Sequence, residues 1–492
     1  MAVTAGENCK LSSICEYFYK KMKINLAQNK NLKLFKIISK VAQENNQTVY
    51  IVGGFVRDLL MQRKAPTDID FVTEQNGIDL AKAVGKELGN LNVSVFKTYG
   101  TAMIKYKDLD LEFVGARKES YSEDSRKPAV ETGTLEDDQK RRDFTVNALA
   151  ISLNEENFGE LIDPFNGRED MQNKILKTPL EPAQTYSDDP LRMMRAIRFA
   201  SVLHFNIEKN SLEAIKQEAE RIKIVSMERI MVEFNKIMLS EKPSIGLKLM
   251  EETTLLEKII PELTALKGIE EVEGQTHKDN FWHTLEVVDN ISKNTDKLWL
   301  RWAALLHDIG KAPTKKFVEK IGWTFHGHEF LGSKMVKNLF IRLKLPLGTD
   351  MKYVQKMVKL SSRPIALIDD GTSDSALRRL LFDAGEDLED LFTLCKADIT
   401  TKNAQKQEKF KKNFEYVAKK IKEVEEKDQI RNFQPPISGE EIMEMFHLKP
   451  GREIGILKEK VKEAILEGEI GNDKDEARDF VIKEAKLLGL EK

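Results

Sequence analysis

The order of apolar and polar positions predicts an α+β head followed by a long helical region. A continuous apolar run at Val49–Val52 predicts a short buried strand, Ile78–Leu88 has helical spacing, and Val93–Val114 predicts strands broken by polar turns. Apolar residues recur at helical spacing from Phe205 to Met238 and in the segments beyond. The expected fold is a mixed α/β head joined to an all-helical neck, body and tail.

The length of the chain indicates several domains. A chain of 492 residues is too long for one hydrophobic core, and about three domains are expected. The domain boundaries are predicted near residues 180, 270 and 400, without a low-complexity linker to mark them. The predicted parts are a helical leader (1–47), the head (48–180), a helical neck (181–270), a helical body (271–400) and a helical tail (401–492).

The charge distribution restricts how the chain would meet a nucleic acid. The formal net charge is −2 and 32% of the residues are charged, so an RNA partner would bind local basic patches rather than a global positive field. Residues 401–433 hold ten Lys and Arg against six Asp and Glu. This excess suits an RNA backbone, and a solvated charged helix explains it equally well.

The sequence shows no pattern typical of a membrane or secreted protein. There is no apolar run of membrane length and no basic-then-apolar signal at the N-terminus. The three cysteines, Cys9, Cys15 and Cys395, are odd in number and favour reduced thiols over a disulfide framework. We therefore expect a cytoplasmic protein without a membrane partner.

Two glycines follow the first predicted strand. Gly53 and Gly54 allow the backbone to turn tightly and to approach a ligand without a Cβ in the way, and a helix is predicted from Phe55. Free N–H groups at such a turn and at a helix N-terminus attract phosphate. The stretch predicts a triphosphate site; an ordinary turn is the alternative.

Asp68 and Asp70 alternate on a second, otherwise apolar predicted strand, which directs both carboxylates to one face. They repel each other unless a cation lies between them, and hard oxygen ligands suit Mg²⁺. Two Mg²⁺ ions there would activate an attacking hydroxyl and stabilise a leaving pyrophosphate. Glu112, on a later strand, is a candidate third carboxylate, although a lone Glu on a strand is more often solvated.

The succession Gly-Gly-Phe-Val-Arg-Asp and then Asp-Ile-Asp resembles the signature of bacterial CCA-adding tRNA nucleotidyltransferases and their poly(A) polymerase relatives. The resemblance implies a tRNA 3′ hydroxyl that attacks the α-phosphorus of CTP or ATP. It assigns nucleotide binding to Gly53, Gly54 and Arg57, and catalysis with Mg²⁺ binding to Asp68 and Asp70.

Arg141–Ala148 resembles the second motif of this family. Adjacent arginines offer forked donors for phosphate oxygens, and Asp143 and Asn147 are four residues apart. The resemblance adds Arg142, Asp143 and Asn147 to the nucleotide site; a surface charge cluster is the alternative. The polar stretch 117–139 predicts an irregular loop, and a flexible loop at this position in the family assists the switch from adding C to adding A.

A further block begins at Asp188. Asp189, followed by a proline, is a common helix start, with the aspartate as N-cap. Capping does not explain Arg192, Arg195 and Arg198, which form a basic stripe that should face an anion. The block resembles the base-reading motif of the family, Glu-Asp-x-x-Arg, with Asp188 in place of the glutamate, so these arginines join the nucleotide site.

Hydrogen-bond chemistry explains how such a motif selects bases. Cytosine and adenine both present an exocyclic amine beside a ring-nitrogen acceptor, which a carboxylate (Asp189) and a guanidinium (Arg192) would recognise. Guanine and uracil place a carbonyl oxygen opposite the carboxylate, and a missing polar partner costs about 1 to 3 kcal/mol. One pair of side chains would thus select C and A without a template.

Five of the seven histidines fall between residues 277 and 328. Neutral imidazoles and carboxylates on packed helices favour a divalent-metal site. Their order resembles the HD phosphohydrolase domain. The implied ligands are His283, His307, Asp308 and Asp398, with His326 and His328 for a second metal. Residues 360–363 lack the further histidine of many HD domains, which argues against a two-metal hydrolase, and a domain with partly retained ligands is the alternative.

The expected function is template-independent addition of CCA to tRNA from CTP and ATP. A poly(A) polymerase of the same superfamily is the alternative closest in chemistry. An HD-type metal phosphohydrolase with a nucleotide-binding head is an alternative from another class. A pure RNA-binding protein would leave Asp68 and Asp70 without a role.

Overall fold

The computed structural model describes residues 22–64, 66–97, 100–122, 125–369, 373–401, 403–428 and 434–490. The chain forms two compact units. The first runs up to Ser226 and includes Glu252–Leu255, and the second comprises Met227–Glu251 and the chain from Leu256 onward. Cys9, Cys15, Lys402 and Arg431 lie outside the described residues. The five-part division made from the sequence stays a prediction.

The strands are short and most belong to the first unit. They are β1 (Tyr50–Val52), β2 (Asp68–Thr73), β3 (Val93–Phe96), β4 (Thr101–Tyr106), β5 (Leu109–Gly115), β6 (Arg117–Ser122), β7 (Ser125–Thr132), β8 (Ala150–Ser152), β9 (Leu161–Ile162), β10 (Ile175–Leu176), β11 (Asn206–Ile207), β12 (Glu271–Val272), β13 (Gln275–Thr276), β14 (Lys316–Val318) and β15 (Gly322–Thr324). Seven of them form one sheet in the order β3-β4-β5-β2-β1-β8-β9, in which β2 and β5 are parallel.

Helices make up most of the remaining chain. The first are α1 (Leu32–Glu44), α2 (Gly54–Leu60), α3 (Gly77–Glu87), α4 (Leu135–Lys140), α5 (Gly167–Gln172), α6 (Pro182–Asp188), α7 (Leu191–Leu203) and α8 (Lys209–Glu218). Then follow α9 (Met227–Met238), α10 (Pro243–Glu252), α11 (Leu255–Ile259), α12 (Pro261–Thr264), α13 (Asn280–Ser292), α14 (Leu298–Leu306), α15 (Lys311–Thr314), α16 (His328–Arg342), α17 (Thr349–Leu360), α18 (Arg363–Asp369), α19 (Asp374–Ala384), α20 (Leu388–Asp398), α21 (Ala404–Asp428), α22 (Gly439–Phe446), α23 (Arg452–Glu467) and α24 (Lys474–Leu487). Within the described ranges, none has the length and apolar character needed to cross a bilayer.

Buried aromatic rings fix the glycine turn against the sheet. Phe35 of α1 contacts Phe55 of α2 edge to face, with ring centroids 5.8 Å apart. Phe35 also meets Phe71 of β2, which stacks on Phe113 of β5 at 4.9 Å. All four side chains are buried, and each contributes about 1.5 to 3 kcal/mol through burial. The turn and the carboxylate strands therefore share one core.

Two sequence-based predictions for the head are wrong. The stretch predicted as an irregular loop contains the antiparallel hairpin β6–β7 and the helix α4. Backbone hydrogen bonds hold such a hairpin together, so it does not need the apolar alternation from which strands were predicted. The short apolar run Ile175–Lys177 also predicts a strand that closes the head, but the strand there, β10, pairs in parallel with β11 and not with the head sheet. The overall α+β prediction is confirmed.

Candidate functional site

The glycine turn lies against both the carboxylate strand and the second motif. Gly53 joins β1 to α2 with φ +74° and ψ −141°, a conformation that favours glycine. A Cβ at this position would lie 3.1 Å from Nη1 of Arg142 and 3.2 Å from Oδ2 of Asp70. Three separately predicted parts of the site thus meet at one point. The helix begins at Gly54, one residue before the predicted Phe55.

The carboxylates occupy neighbouring strands of the sheet. Asp68 is exposed and Asp70 is half-buried on β2, and Asp70 is the register partner of Glu112 on β5. Burial raises the pKa of Asp70, and the charges of Asp68 and Asp138 raise it further against the opposing charge of Arg142. Burial and the charge of Asp70 likewise raise the pKa of Glu112. Asp70 and Glu112, whose ionised forms are destabilised beside the charge of Asp68, provide oxygen ligands that fit a hard divalent cation.

Arg142 is held by a carboxylate that the sequence analysis placed in a loop. Asp138 on α4 is fully buried and accepts hydrogen bonds from Nε and Nη2 of Arg142 at 3.0 and 2.9 Å. It also accepts one from Nη2 of Arg141. Nη1 of Arg142 instead points toward the carbonyl oxygen of Asn147, at 3.4 Å, and toward the glycine turn. The spacing of four residues between Asp138 on α4 and Arg142 just beyond its C-cap was the signal that could have revealed this pair.

Asp143 and Asn147 link the glycine turn to α7. Nη1 of Arg57 donates to Oδ1 of Asn147 at 2.7 Å, and Nδ2 of Asn147 donates to Oδ1 of Asp143 at 2.9 Å. Oδ2 of Asp143 accepts from Nε of Arg195 at 2.7 Å. Burial alone would raise the pKa of Asp143, but the charge of Arg195 and the hydrogen bonds from Asn147 and Arg195 outweigh it and hold the pKa at about 2. The side chains of Asp143 and Asn147 are both buried, so they do not form a surface charge cluster.

Each nitrogen of the Arg57 guanidinium donates a hydrogen bond to another side chain. Nε and Nη2 donate to the two carboxylate oxygens of Asp58 at 2.9 and 3.0 Å, and Nη1 is bound to Asn147. The side chain is 8% exposed. These bonds use one N–H on each nitrogen, and Nη1 and Nη2 each carry a second N–H; the role of Arg57 in binding nucleotide stays a prediction.

The helix predicted to read bases, α7, starts beside the second motif. Pro190 is the N-cap of α7, so the helix begins one residue later than predicted, and the carboxylate of Asp189 accepts from the N–H of Leu191 at 3.3 Å. Nη2 of Arg192 donates to the carbonyl oxygen of Arg141 at 2.6 Å. Asp189 and Arg192 are both half-buried. The backbone N–H of Arg192 also donates to the carbonyl oxygen of Asp189 at 2.9 Å, so both residues of the predicted pair lie at the start of the helix.

One arginine of the basic stripe on α7 binds a carboxylate of the protein itself. Arg195 binds the carboxylate of Asp143, with Nη2 at 2.6 Å. The guanidinium of Arg198 lies 3.9 Å from the ring centroid of Phe199, and the guanidinium of Arg57 lies 5.0 Å from the same ring. Such cation–π contacts are worth about 0.5 to 2 kcal/mol. The aromatic residue that holds these cations was not singled out from the sequence.

In the second unit, the predicted metal ligands converge. Nε2 of His283 lies 2.8 Å from Oδ1 of Asp398, and Nε2 of His307 lies 3.4 Å from the same oxygen. Oδ2 of Asp308 lies 3.3 Å from Nε2 of His307. His328 approaches Asp308 at 3.6 Å, whereas His326 is exposed. The predicted group of four is therefore assembled, and one of the two further histidines lies beside it.

The histidine at the centre of this cluster is prepared to bind a cation. Nδ1 of His307 donates to the carbonyl oxygen of Ala304 at 2.8 Å, which leaves Nε2 facing the carboxylates. Burial alone would lower the pKa of His307, but the charges of Asp308 and Asp398 outweigh it and raise the pKa to about 10. A proton thus balances the carboxylates here, and a divalent cation fits the same position.

Two lysines beside the cluster were not predicted. Nζ of Lys311 donates to Oδ2 of Asp308 at 2.7 Å, and Nζ of Lys278 lies 2.8 Å from Nδ1 of His283. Their ammonium groups supply positive charge next to a set of carboxylates and imidazoles, which suits an anionic phosphoester. Neither lysine belongs to the histidine and aspartate pattern from which the cluster was predicted.

Sequence profiles of known families match three parts of the chain. The poly A polymerase head domain matches residues 49–177. A probable RNA and SrmB-binding site of polymerase A matches residues 204–267, and the HD domain matches residues 280–401. The head profile contains the glycine turn and the carboxylates, and the HD profile contains the histidine cluster.

Individual relatives carry names that are more specific than those of the family profiles. The A-adding tRNA nucleotidyltransferase of Deinococcus radiodurans is 32% identical over 356 residues, which are 70% of this chain and 79% of that protein. This chain belongs to the tRNA nucleotidyltransferase family. The A-adding enzyme of Aquifex aeolicus is 33% identical over 301 residues, 58% of this chain but only 34% of that protein. The CCA-adding enzyme of Bacillus velezensis is 29% identical over 453 residues, 92% of this chain and 97% of that protein.

A solved structure shows the same fold as this tRNA nucleotidyltransferase. The complex of a CCA-adding enzyme with ATP superposes with a TM-score of 0.61 at 22% identity, over 96% of this chain and 99% of that chain. The predictions of a nucleotidyltransferase head, an HD domain and a helical C-terminal part are confirmed. The roles of individual site residues stay predictions.

Proposed function

We propose that this tRNA nucleotidyltransferase adds C, C and A in turn to tRNA 3′ ends, using CTP and ATP and releasing pyrophosphate. The observation that carries the proposal is the meeting of the Asp70 carboxylate, Arg142 and the Gly53 turn at one point. A relative that aligns with nearly the whole chain is named a CCA-adding enzyme. We also propose a cytoplasmic location, which cell fractionation would test.

The chemistry follows from the charges around this point. Asp68 and Asp70, with Glu112, would hold Mg²⁺, which when bound stabilises charge on the phosphates and lowers the pKa of the attacking hydroxyl. The Gly53 turn allows the triphosphate to approach the backbone, and Arg142 offers Nη1 to a phosphate oxygen. Catalysis is mainly positioning and charge stabilisation, as in other phosphoryl transfers.

A single assay tests the proposal. The chain is incubated with tRNA lacking its terminal CCA, together with CTP, ATP and Mg²⁺, and the 3′ ends are sequenced. Addition of CCA supports the proposal. Addition of two C only would show a split enzyme like the relative named CC-adding, and addition of A only to a tRNA ending in CC would show one like the relatives named A-adding. Long A tails would show a poly(A) polymerase.

The turn itself can be tested by adding one methyl group. We expect Gly53→Ala to lower nucleotide incorporation by about tenfold or more and to cost about 1 to 3 kcal/mol of stability, because the backbone is strained and the new Cβ displaces Asp70 or Arg142. Gly89→Ala is the matched control, since Gly89 has φ +102° and nothing within 4 Å of its Cβ position. Gly89→Ala should lose stability but keep activity. A similar loss of activity in Gly53→Ala and Gly89→Ala would contradict the role of the Gly53 turn in nucleotide binding.

Base selection is assigned to Asp189 and Arg192. We expect Arg192→Ala to lower discrimination of CTP against UTP by about tenfold to a hundredfold, because one polar contact to the base edge is worth about 1 to 3 kcal/mol. Competition between the two nucleotides on one tRNA measures the ratio. Arg168→Ala removes an exposed guanidinium elsewhere in the same unit and should leave the ratio unchanged. Equal selectivity in Arg192→Ala and the parent would refute the assignment.

The histidine cluster supports a second function, hydrolysis of phosphoesters by the HD domain. We expect His307→Ala to abolish any metal-dependent phosphatase activity and to leave tRNA extension intact, because Nε2 of His307 faces two carboxylates in the other unit. His326→Ala removes an exposed histidine and should retain both activities. Loss of both activities in His307→Ala would mean that the domain is structural support.

A further inference from the structure

The buried carboxylate of Asp138 has no role in the reaction described above, yet it touches the centre of the site. Asp138 is 0% exposed and binds Nε and Nη2 of Arg142 through the single oxygen Oδ2. The remaining nitrogen, Nη1, reaches the point at the Gly53 turn that Oδ2 of Asp70 also reaches. The guanidinium of Arg142 therefore stands between two carboxylates.

Asp138 pairs with the guanidinium of Arg142, whereas Asp70 must stay free of that guanidinium to bind a divalent cation. A guanidinium paired in a forked geometry with Asp70 would neutralise it and compete with a divalent cation for the same oxygens. With Nε and Nη2 bound to Asp138, only Nη1 of Arg142 is directed to the Gly53 turn. A buried charged pair of this kind holds its geometry, because breaking it would leave a charge without a partner in a dry environment.

We propose that Asp138 is a positioning residue that keeps Arg142 from pairing with Asp70, so that Asp70 stays open to a divalent cation while Nη1 of Arg142 faces the nucleotide phosphates. The proposal rests on the proposed function, because it takes Asp70 as a metal ligand. It predicts that loss of Asp138 weakens metal binding at a carboxylate that Asp138 does not itself touch.

The first test is a titration of the full chain with Mn²⁺ alone, without tRNA or nucleotide. Electron paramagnetic resonance measures the free and bound Mn²⁺. All variants carry His307→Ala so that the HD cluster does not contribute. We expect Asp138→Asn to weaken Mn²⁺ binding by about tenfold or more, the scale on which a neighbouring opposite charge shifts a carboxylate. Arg141→Gln removes the other guanidinium that binds Asp138 and is the matched control, with affinity unchanged.

A double-mutant cycle separates positioning from general structural support. In an Arg142→Gln background no guanidinium is left to occupy Asp70, so adding Asp138→Asn should leave Mn²⁺ affinity unchanged. If Asp138→Asn alone does not fold, the comparison of Arg142→Gln with the double variant still decides. Weaker binding in the double variant, or parental affinity in Asp138→Asn, would overturn the proposal.

Steady-state kinetics supply a readout that a structural defect would not give. In tRNA extension by Asp138→Asn, the Mg²⁺ concentration for half-maximal rate should rise about tenfold, while saturating Mg²⁺ restores part of kcat. A loss of kcat at all Mg²⁺ concentrations with unchanged half-saturation contradicts the proposal. If the parent chain fails to extend tRNA, the proposed function is wrong, whereas the Mn²⁺ titration still reports on Asp138.

Discussion

Asp70→Asn lowers nucleotide incorporation by at least about a thousandfold while leaving the fold intact. The substitution keeps the shape of the side chain but removes a charged oxygen, the proposed metal ligand, from a half-buried position beside the Gly53 turn. A cation bound between carboxylates contributes several kcal/mol to the stabilisation of developing charge, and about 4 kcal/mol corresponds to a thousandfold. Single-turnover extension of tRNA with CTP at saturating Mg²⁺ measures the loss.

Stability separates this loss from unfolding. The pKa of Asp70 is raised in the folded chain, mainly by burial, so its ionised form opposes folding at neutral pH. An asparagine carries no such charge, and we expect the melting temperature of Asp70→Asn to equal or exceed that of the parent. Asp79→Asn, at an exposed aspartate of α3, is the control with activity unchanged. Retained activity in Asp70→Asn would remove the basis of the proposed function.

Local patterns were sufficient to predict the elements that carry the reactive groups. The apolar run before Gly53 and the alternation around Asp68 and Asp70 specify strands directly, because neighbouring residues on a strand point to opposite faces. The helix that carries His283 and the His307-Asp308 pair after α14 followed from helical spacing in the same way. These signals lie within a few residues of one another, so a single sequence contains them.

The contacts that join these elements could not be predicted in that way. The bond from Arg57 to Asn147 spans 90 residues, and the bond from Arg195 to Asp143 spans 52. A basic stripe on a helix indicates that an anion is near but not which one, and here a carboxylate of the chain itself occupies that position. The buried state of Asp138 was missed for the same reason, since burial depends on packing by distant segments.

The second large effect is expected on replacing Asp143, whose carboxylate binds Arg195 of α7. Asp143→Ala is expected to destabilise the first unit by about 3 kcal/mol, because it removes the carboxylate that accepts hydrogen bonds from Arg195, the amide of Asn147 and the backbone N–H of Phe144. Chemical denaturation followed by circular dichroism measures the change. Glu44→Ala removes one partner of an exposed ion pair with Lys40 and should cost less than about 1 kcal/mol.

The pH dependence of stability gives an independent check on the same residue. The pKa of Asp143 is about 2 in the folded chain, below the value of about 3.9 for an unfolded aspartate. A lowered pKa contributes stability above the unfolded value, and this contribution, about 2 to 3 kcal/mol, is lost as pH falls from about 4 toward 2. The stability difference between parent and Asp143→Ala should therefore shrink over that range. A difference that stays constant down to pH 2 would show that packing, not the charge of Asp143, connects α7 to the glycine turn.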